Sequence, residues 1–247
     1  FKLSKLGYVN YVVDSLTDPK IVKACLRDYI SRNIDGLIFQ AVEENLKDPE
    51  IISSLKQISN VVIETHLDPP VGFPFDCIVR SRSKPMLEIV NYLASKGRKR
   101  LCLLAQKLDP DREEAYIDGL TKDNILTDDC RMINGNLTDI SPDFIEKLNA
   151  GKMTYDAVIT ANDEIAAAMI KLLNDYGKKV PDDVAVIGYN DNFMSRFFIP
   201  PIASVERRNK DFAQLSVDML MEQINNERTV PRIEYLDMRL VKRESAG

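Results

Sequence analysis

The chain of 247 residues has one histidine, no tryptophan and only four cysteines. These shortages exclude several chemistries together. A zinc site needs clustered thiolates and imidazoles, but His66 stands alone and Cys25, Cys77, Cys102 and Cys130 are far apart, with no Cys-x-x-Cys. The first three cysteines fall inside apolar strand or helix patterns. They read as buried free thiols, which suits a reducing cytosol. No apolar run approaches the ~20 residues needed to span a bilayer, and the opening residues show no secretory signal pattern.

Positive charge is also scarce. Lys and Arg number 33 against 38 Asp and Glu, a net charge of −5, and the isoelectric point is about 5.1. A surface that grips DNA carries a basic face, so this chain by itself is not expected to contact DNA. Its one basic run, Lys96–Arg100, reads as a solvated helix C-terminus favoured by the helix dipole. Catalytic motifs are missing too. There is no Gly-x-Ser-x-Gly elbow, no P-loop and no Gly-x-Gly-x-x-Gly. His66 precedes Pro69-Pro70 in a turn-like segment and reads as a surface or cleft-rim histidine. Asp109, Asp111, Glu113 and Glu114 cluster, yet Glu114 stands where a calcium loop needs glycine. That cluster is expected to open a helix from Arg112. No cofactor, metal or enzymatic activity is expected.

Hydrophobic residues make up 45% of the chain, enough for a large core. At ~150 residues per domain, the length fits one large or two small domains. Strand-like runs alternate with amphipathic helices. Tyr8–Val13 leads to a helix over 19–33. Gly36–Ala41 leads to a helix near 49–58, then Val61–Thr65. Cys77–Arg80 precedes a helix over 83–96, with Pro85 tolerated in its first turn. Arg100–Ala105 precedes a helix over 112–122, and Arg131–Ile133 precedes one over 142–149. After Val205, Phe212, Leu215, Met219, Leu220 and Ile224 form the apolar face of a helix over 209–225. Arg232–Leu236 and Met238–Val241 are strand-like. Repeated βα units predict an α/β fold of parallel sheets covered by helices.

The clearest unit is Tyr155–Asp191. Ala157–Ala161 is a strand. Asn162 or Asp163 can cap the following helix, whose stripe is Ile165, Met169, Leu172 and Leu173, and Gly177 supplies the left-handed stop. Val184–Ile187 is a strand again. Asn162 and Asn190 therefore fall where buried parallel strands end, the edge at which open α/β sheets bind ligands.

This stretch also carries a resemblance. The strand ending in Ala161-Asn162-Asp163, the run Val180-Pro181-Asp182-Asp183-Val184-Ala185-Val186-Ile187-Gly188-Tyr189-Asn190-Asp191 and the run Ile199-Pro200-Pro201-Ile202-Ala203-Ser204-Val205 resemble the LacI/GalR family of bacterial transcription regulators. The ending Leu240-Val241-Lys242-Arg243-Glu244-Ser245 resembles that family's C-terminus. The likeness covers nearly the whole chain and is densest over 155–206. It implies a periplasmic-binding-protein-like fold of two Rossmann-like subdomains, 1–81 with 208–236 and 82–207 with 237–247, joined by three hinge crossings around a cleft. The family's domain opens with a strand and a helix before the segment matching Lys5-Leu6-Gly7-Tyr8. Phe1–Leu6 accordingly reads as a helix tail, the first strand as missing, and a DNA-binding headpiece as lying upstream.

The resemblance implies an effector-binding and dimerisation domain that takes a sugar-like molecule. Its homodimer would act on operator DNA in the cytoplasm, through that headpiece. Carried over position by position, it nominates six residues. Gln40 and Glu64 end strands, and each can bind hydroxyls. Arg112 begins Arg-Glu-Glu-Ala-Tyr, similar to the family's Arg-x-x-Gly-aromatic helix start, and offers a rigid donor fork. Asn162 follows its strand. Leu137 stands where relatives often have an aromatic, and it offers an apolar wall without a π face. Asn190 stands where the family usually has aspartate, which removes a charge. Ser81-Arg82 likewise replaces a frequent Asp-Asn pair. The alternative is a periplasmic sugar-binding protein of an ABC transporter. Ile199-Pro200-Pro201, Lys242-Arg243-Glu244-Ser245 and the unpaired cysteines favour the regulator.

Overall fold

The computed structural model describes residues 2–14, 18–105, 110–123, 131–134, 146, 150–151, 155–227 and 230–247. Cys130, Leu137, Asp109 and the expected helix over 142–149 (but for residue 146) lie outside them. The chain separates into two compact units, residues 1–81 with 208–236 and residues 82–207 with 237–247.

The first unit holds helices α1 (Lys2–Lys5), α2 (Pro19–Ser31), α3 (Glu43–Lys47) and α4 (Pro49–Leu55) and strands β1 (Leu37–Gln40), β2 (Val61–Thr65) and β3 (Asp76–Val79). The late segment brings the helix Asn209–Ile224 and the strand Ile233–Tyr235. All four strands are parallel, with Ile233–Tyr235 beside β3 and β1 at the other edge. Side chains alternate across this sheet as strand geometry requires. Val61, Ile63, Cys77 and Val79 pack toward α2 and α4. Val62 and Ile78 pack toward Phe212, Met219 and Leu220 of the late helix, as its apolar stripe predicts. Each such buried aliphatic side chain contributes ~1.5–3 kcal/mol. Asp18 and Asp48 accept hydrogen bonds from the first backbone amides of α2 and α4, and each helix begins with proline.

One expected strand does not form. Tyr8–Val13 has the β-branched composition of a strand but pairs with none among the described residues. Val9 and Val12 are 77% and 93% exposed. Composition supplies a propensity, whereas a strand requires a hydrogen-bonded neighbour.

The second unit holds helices α5 (Ser83–Ser95), α6 (Pro110–Lys122) and α7 (Asp163–Asp175). Its strands are β4 (Leu101–Ala105), β5 (Arg131–Asn134), β6 (Ala157–Thr160), β7 (Ala185–Asn190) and β8 (Ala203–Glu206). In chain order the late helix is α8 (Asn209–Ile224), Ile233–Tyr235 is β9, and β10 (Arg239–Val241) closes the second sheet. The sheet order is β10-β8-β7-β6-β4-β5. β10 is antiparallel to β8 and the other pairs are parallel. One core layer packs Leu101, Leu103, Ile159, Ile187, Tyr189 and Val205 under α5 and α6. The other packs Cys102, Leu104, Val158 and Val186 under α7.

The ends of α7 follow the sequence reading. Asn162 is the cap, its Oδ1 accepting from Ile165 N at 2.8 Å. Gly177, at φ 70°, reverses the chain, and Lys178 N reaches back to Leu173 O at 2.9 Å. In the basic run after α5, Lys96, Lys99 and Arg100 are exposed. Arg98 donates to the Pro181 carbonyl at 2.6 Å, and the amides of Lys99 and Arg100 bind the Asp156 carboxylate. Cys77 and Cys102 are buried free thiols and Cys25 is half-buried. Burial pushes the Cys77 thiol up to about 12. Among the described residues no helix is long and apolar enough to cross a membrane.

Candidate functional site

In parallel sheets the C-terminal strand ends and the helix N-termini share one edge. On the second unit this edge gathers Asn162 after β6, Asn190 at the end of β7 and the first turn of α6 with Arg112. Asn162 spends its side-chain oxygen on the helix cap. Its amide NH₂ is left to donate. Asn190 is half-buried with φ 102°, and Asp191 follows at φ 49°. Left-handed backbone at two successive residues suits Asn and Asp, which tolerate it better than other side chains. The turn ends the β7 ladder opposite Glu206 of β8.

Arg112 is half-buried. Its guanidinium carbon lies 4.1 Å from the centroid of the Tyr189 ring, which is itself buried in the core layer beneath α5 and α6. Stacking orients the planar fork. Ala115 is buried one turn later.

Two carboxylates hold this edge in shape. Asp163 is 4% exposed. It accepts from Ser204 Oγ at 2.5 Å and from Asn192 N at 2.6 Å. Burial pushes its carboxyl up to about 6, against the pull of those two bonds. Burial would raise Asp191 as well. There, hydrogen bonds from Arg243 at 2.6 Å and Arg196 at 3.1 Å prevail and hold the carboxyl below its ordinary value. The C-terminal motif thereby acquires a physical role. Arg243 pairs with Asp191, while Ser245 Oγ accepts from Ala203 N and donates to Val186 O, joining β7 to β8.

On the first unit, Gln40 ends β1, exposed, beside Glu64 of β2. Both share the sheet face that Ile38 and Val62 turn toward α8. Glu64 is half-buried and accepts from Ser216 Oγ at 2.5 Å. Burial raises its carboxyl despite that bond and the nearby Arg80. Arg80, not singled out in the sequence, is buried. It donates to Asn209 Oδ1 at 2.8 Å, and its guanidinium carbon lies 3.7 Å from the Phe212 ring centroid. Its position just past β3 was the available signal. His66 sits half-buried in the bend after β2. Glu113 and Glu114 are exposed on α6. No group of three potential metal ligands occurs among the described residues.

Residues 90–246 match the model of the periplasmic binding protein-like domain. The chain belongs to that family. A curated relative, an HTH-type transcriptional regulator of Lachnoclostridium phytofermentans, is 24% identical over 99% of this chain and 75% of its own length. Among solved structures, a LacI family transcriptional regulator from Enterococcus faecium with bound ribose superposes with a TM-score of 0.76 at 20% identity, covering 99% of this chain and 89% of that one. The lac repressor dimer bound to operator and the anti-inducer ONPF gives a TM-score of 0.78 at 23% identity, covering 99% and 74%. The LacI/GalR effector-domain resemblance read from 155–206 is borne out. In this periplasmic binding protein-like domain the parallel-sheet architecture follows that reading as well.

Proposed function

We propose that the chain is the effector-binding and dimerisation domain of a LacI-type transcriptional regulator, without catalytic activity. A sugar or sugar derivative is the effector. Operator DNA is contacted through a separate headpiece, and the protein works in the cytoplasm. The observation that carries this reading is the donor set at one strand-end edge, where Arg112 is stacked on Tyr189 and Asn162 presents its amide. Relatives that regulate transcription and a neighbour with bound ribose support it. Leu137, outside the described residues, is also nominated as an effector contact. The ligand acts by binding two arrangements of the domain with different affinity. A two-fold dimer suits a two-fold operator.

A thermal-shift screen of sugars and sugar derivatives tests the reading. An effector at about 100 times its Kd adds ~2.7 kcal/mol of stability. In calorimetry, Arg112→Ala should weaken that effector by ~1.5–3 kcal/mol, the worth of a charged hydrogen bond. An effector bound equally by the variant would remove Arg112 from the site. Sedimentation of the chain as a monomer at micromolar concentration would count against the dimer.

A further inference from the structure

The segment between β7 and β8 turns an apolar surface to solvent. It passes through one 3₁₀ turn, Phe193–Arg196, and reaches β8 at Ala203. Its inward side is anchored. Ser195 is buried, its hydroxyl donates to the Asn192 carbonyl at 2.6 Å, and its own carbonyl accepts from Ile202 N at 2.8 Å. Phe198 packs against the core layer under α7, and Pro200 and Ile202 are buried. The outward side carries Phe193, Met194, Phe197 and Ile199, which are 74%, 64%, 63% and 86% exposed. The Phe193 and Phe197 rings lie against each other, with centroids 4.8 Å apart.

At ~200 Å² for a large side chain, the four leave ~500 Å² of apolar area in water, the size at which a patch marks an interaction site. The segment is also short of charge. Arg196 is the one charged residue from Asn192 to Val205, in a chain that is 29% charged, and it pairs with Asp191 at 3.1 Å. Aromatic and aliphatic side chains with charge confined to the rim are the composition of an interface centre. Side chains this exposed stand out from the surface and do not enclose a small molecule, which needs a concave site. A second copy of the chain fits better. Two such patches facing across a two-fold axis bury ~1,000 Å², the floor for a specific interface, before any polar rim is counted. With Arg196 neutralised, identical patches meet without like-charge repulsion. The anchored turn also has little freedom to lose on docking. The exposed run Val9–Val13 offers no such platform, because it pairs with no strand among the described residues.

We propose that a second copy of this chain docks on Phe193, Met194, Phe197 and Ile199, so that the segment between β7 and β8 is the centre of a two-fold dimer interface. The inference rests on the dimer in the reading above and assigns it a face.

The test is sedimentation equilibrium of the full chain over a range of concentrations. Wild type should be a dimer at micromolar concentration. Phe193→Ser together with Phe197→Ser should weaken that dimer ~100-fold or more. Met194→Asp, which sets two carboxylates against each other in the contact, should weaken it ~10-fold or more. All three positions are exposed, so thermal melts by circular dichroism should match wild type. If the double variant fails to fold, Met194→Asp carries the same reading. Val71→Ser, fully exposed in the first unit, should leave the dimer unchanged. A wild-type dimer that the double variant and Met194→Asp both retain would overturn this face and leave the dimer itself standing. A wild type that stays monomeric throughout would overturn both. Wild type floating with vesicles of phosphatidylcholine and phosphatidylglycerol, with flotation lost in the double variant and the dimer unchanged, would give the patch to a lipid surface and overturn the proposal.

Discussion

The Asp163 carboxylate lies directly against Gly188. A β-carbon at residue 188 would stand 2.2 Å from Asp163 Oδ1 and 3.3 Å from its Cα. The side-chain oxygen is itself tied to Ser204, and the Cα belongs to the first turn of α7. Neither can yield cheaply in a packed layer. Gly188→Ala should therefore destabilise the fold by ~1–3 kcal/mol through overpacking. The check is a lower denaturant midpoint at unchanged m-value; a midpoint within error of wild type would show that the helix start shifts freely.

Asp163 also sets a pH dependence. Its folded pKa of about 6 lies above the ordinary 3.8. Between those values the folded state holds the proton that the unfolded state has released. This group's contribution is therefore full below the unfolded pKa and is lost as pH rises toward the folded one. The stability of wild type minus that of Asp163→Asn should fall from about pH 4 to about pH 6 and then level off. Denaturation series on both proteins measure it, and a flat difference would refute the raised pKa.

Asn162 combines two separable roles. The cap uses only its oxygen, whereas the proposed ligand contact uses its NH₂. Asn162→Ala should cost ~1 kcal/mol of stability through the lost cap and should weaken the effector. Asn162→Asp keeps a capping oxygen, so it should melt close to wild type yet still bind poorly. Equal effector affinity in Asn162→Asp would confine this residue to the cap.

In the first unit, Ser216 supplies the hydrogen bond to Glu64 beneath α8. Ser216→Ala leaves a half-buried carboxylate short of a donor and should cost ~1–3 kcal/mol. Because burial already raises the Glu64 carboxyl, the loss should be greatest where the group is ionised, at neutral pH. A double-mutant cycle with Glu64→Gln isolates the pair, and additive effects would deny the coupling.

Much of this protein was legible along the chain because its signals are local. The strand, cap, helical stripe and Gly177 stop of 155–187 interact with near neighbours in sequence, and each formed where its residues called for it. The stripe of α8 did the same. Tyr8–Val13 shows the limit. Its β-branched residues favour extension, but the ladder that would make it a strand depends on a partner that local pattern cannot supply. Arg112 and Asn162 were singled out from motif position, whereas Arg80 carried no motif and its contacts came only from its place past a strand end.

By itself, then, the sequence determined the alternation of elements, the capped start of α7, the apolar faces and the mostly parallel kind of sheet, since periodicity and capping act within a few residues. The tertiary structure alone decided which charges meet. It set Asp163 against Gly188, gave Asp191 to Arg243, turned Glu64 toward Ser216 and brought Arg112 over the face of Tyr189. Parallel strand order and strand parity produce those meetings, and both are properties of the assembled sheet.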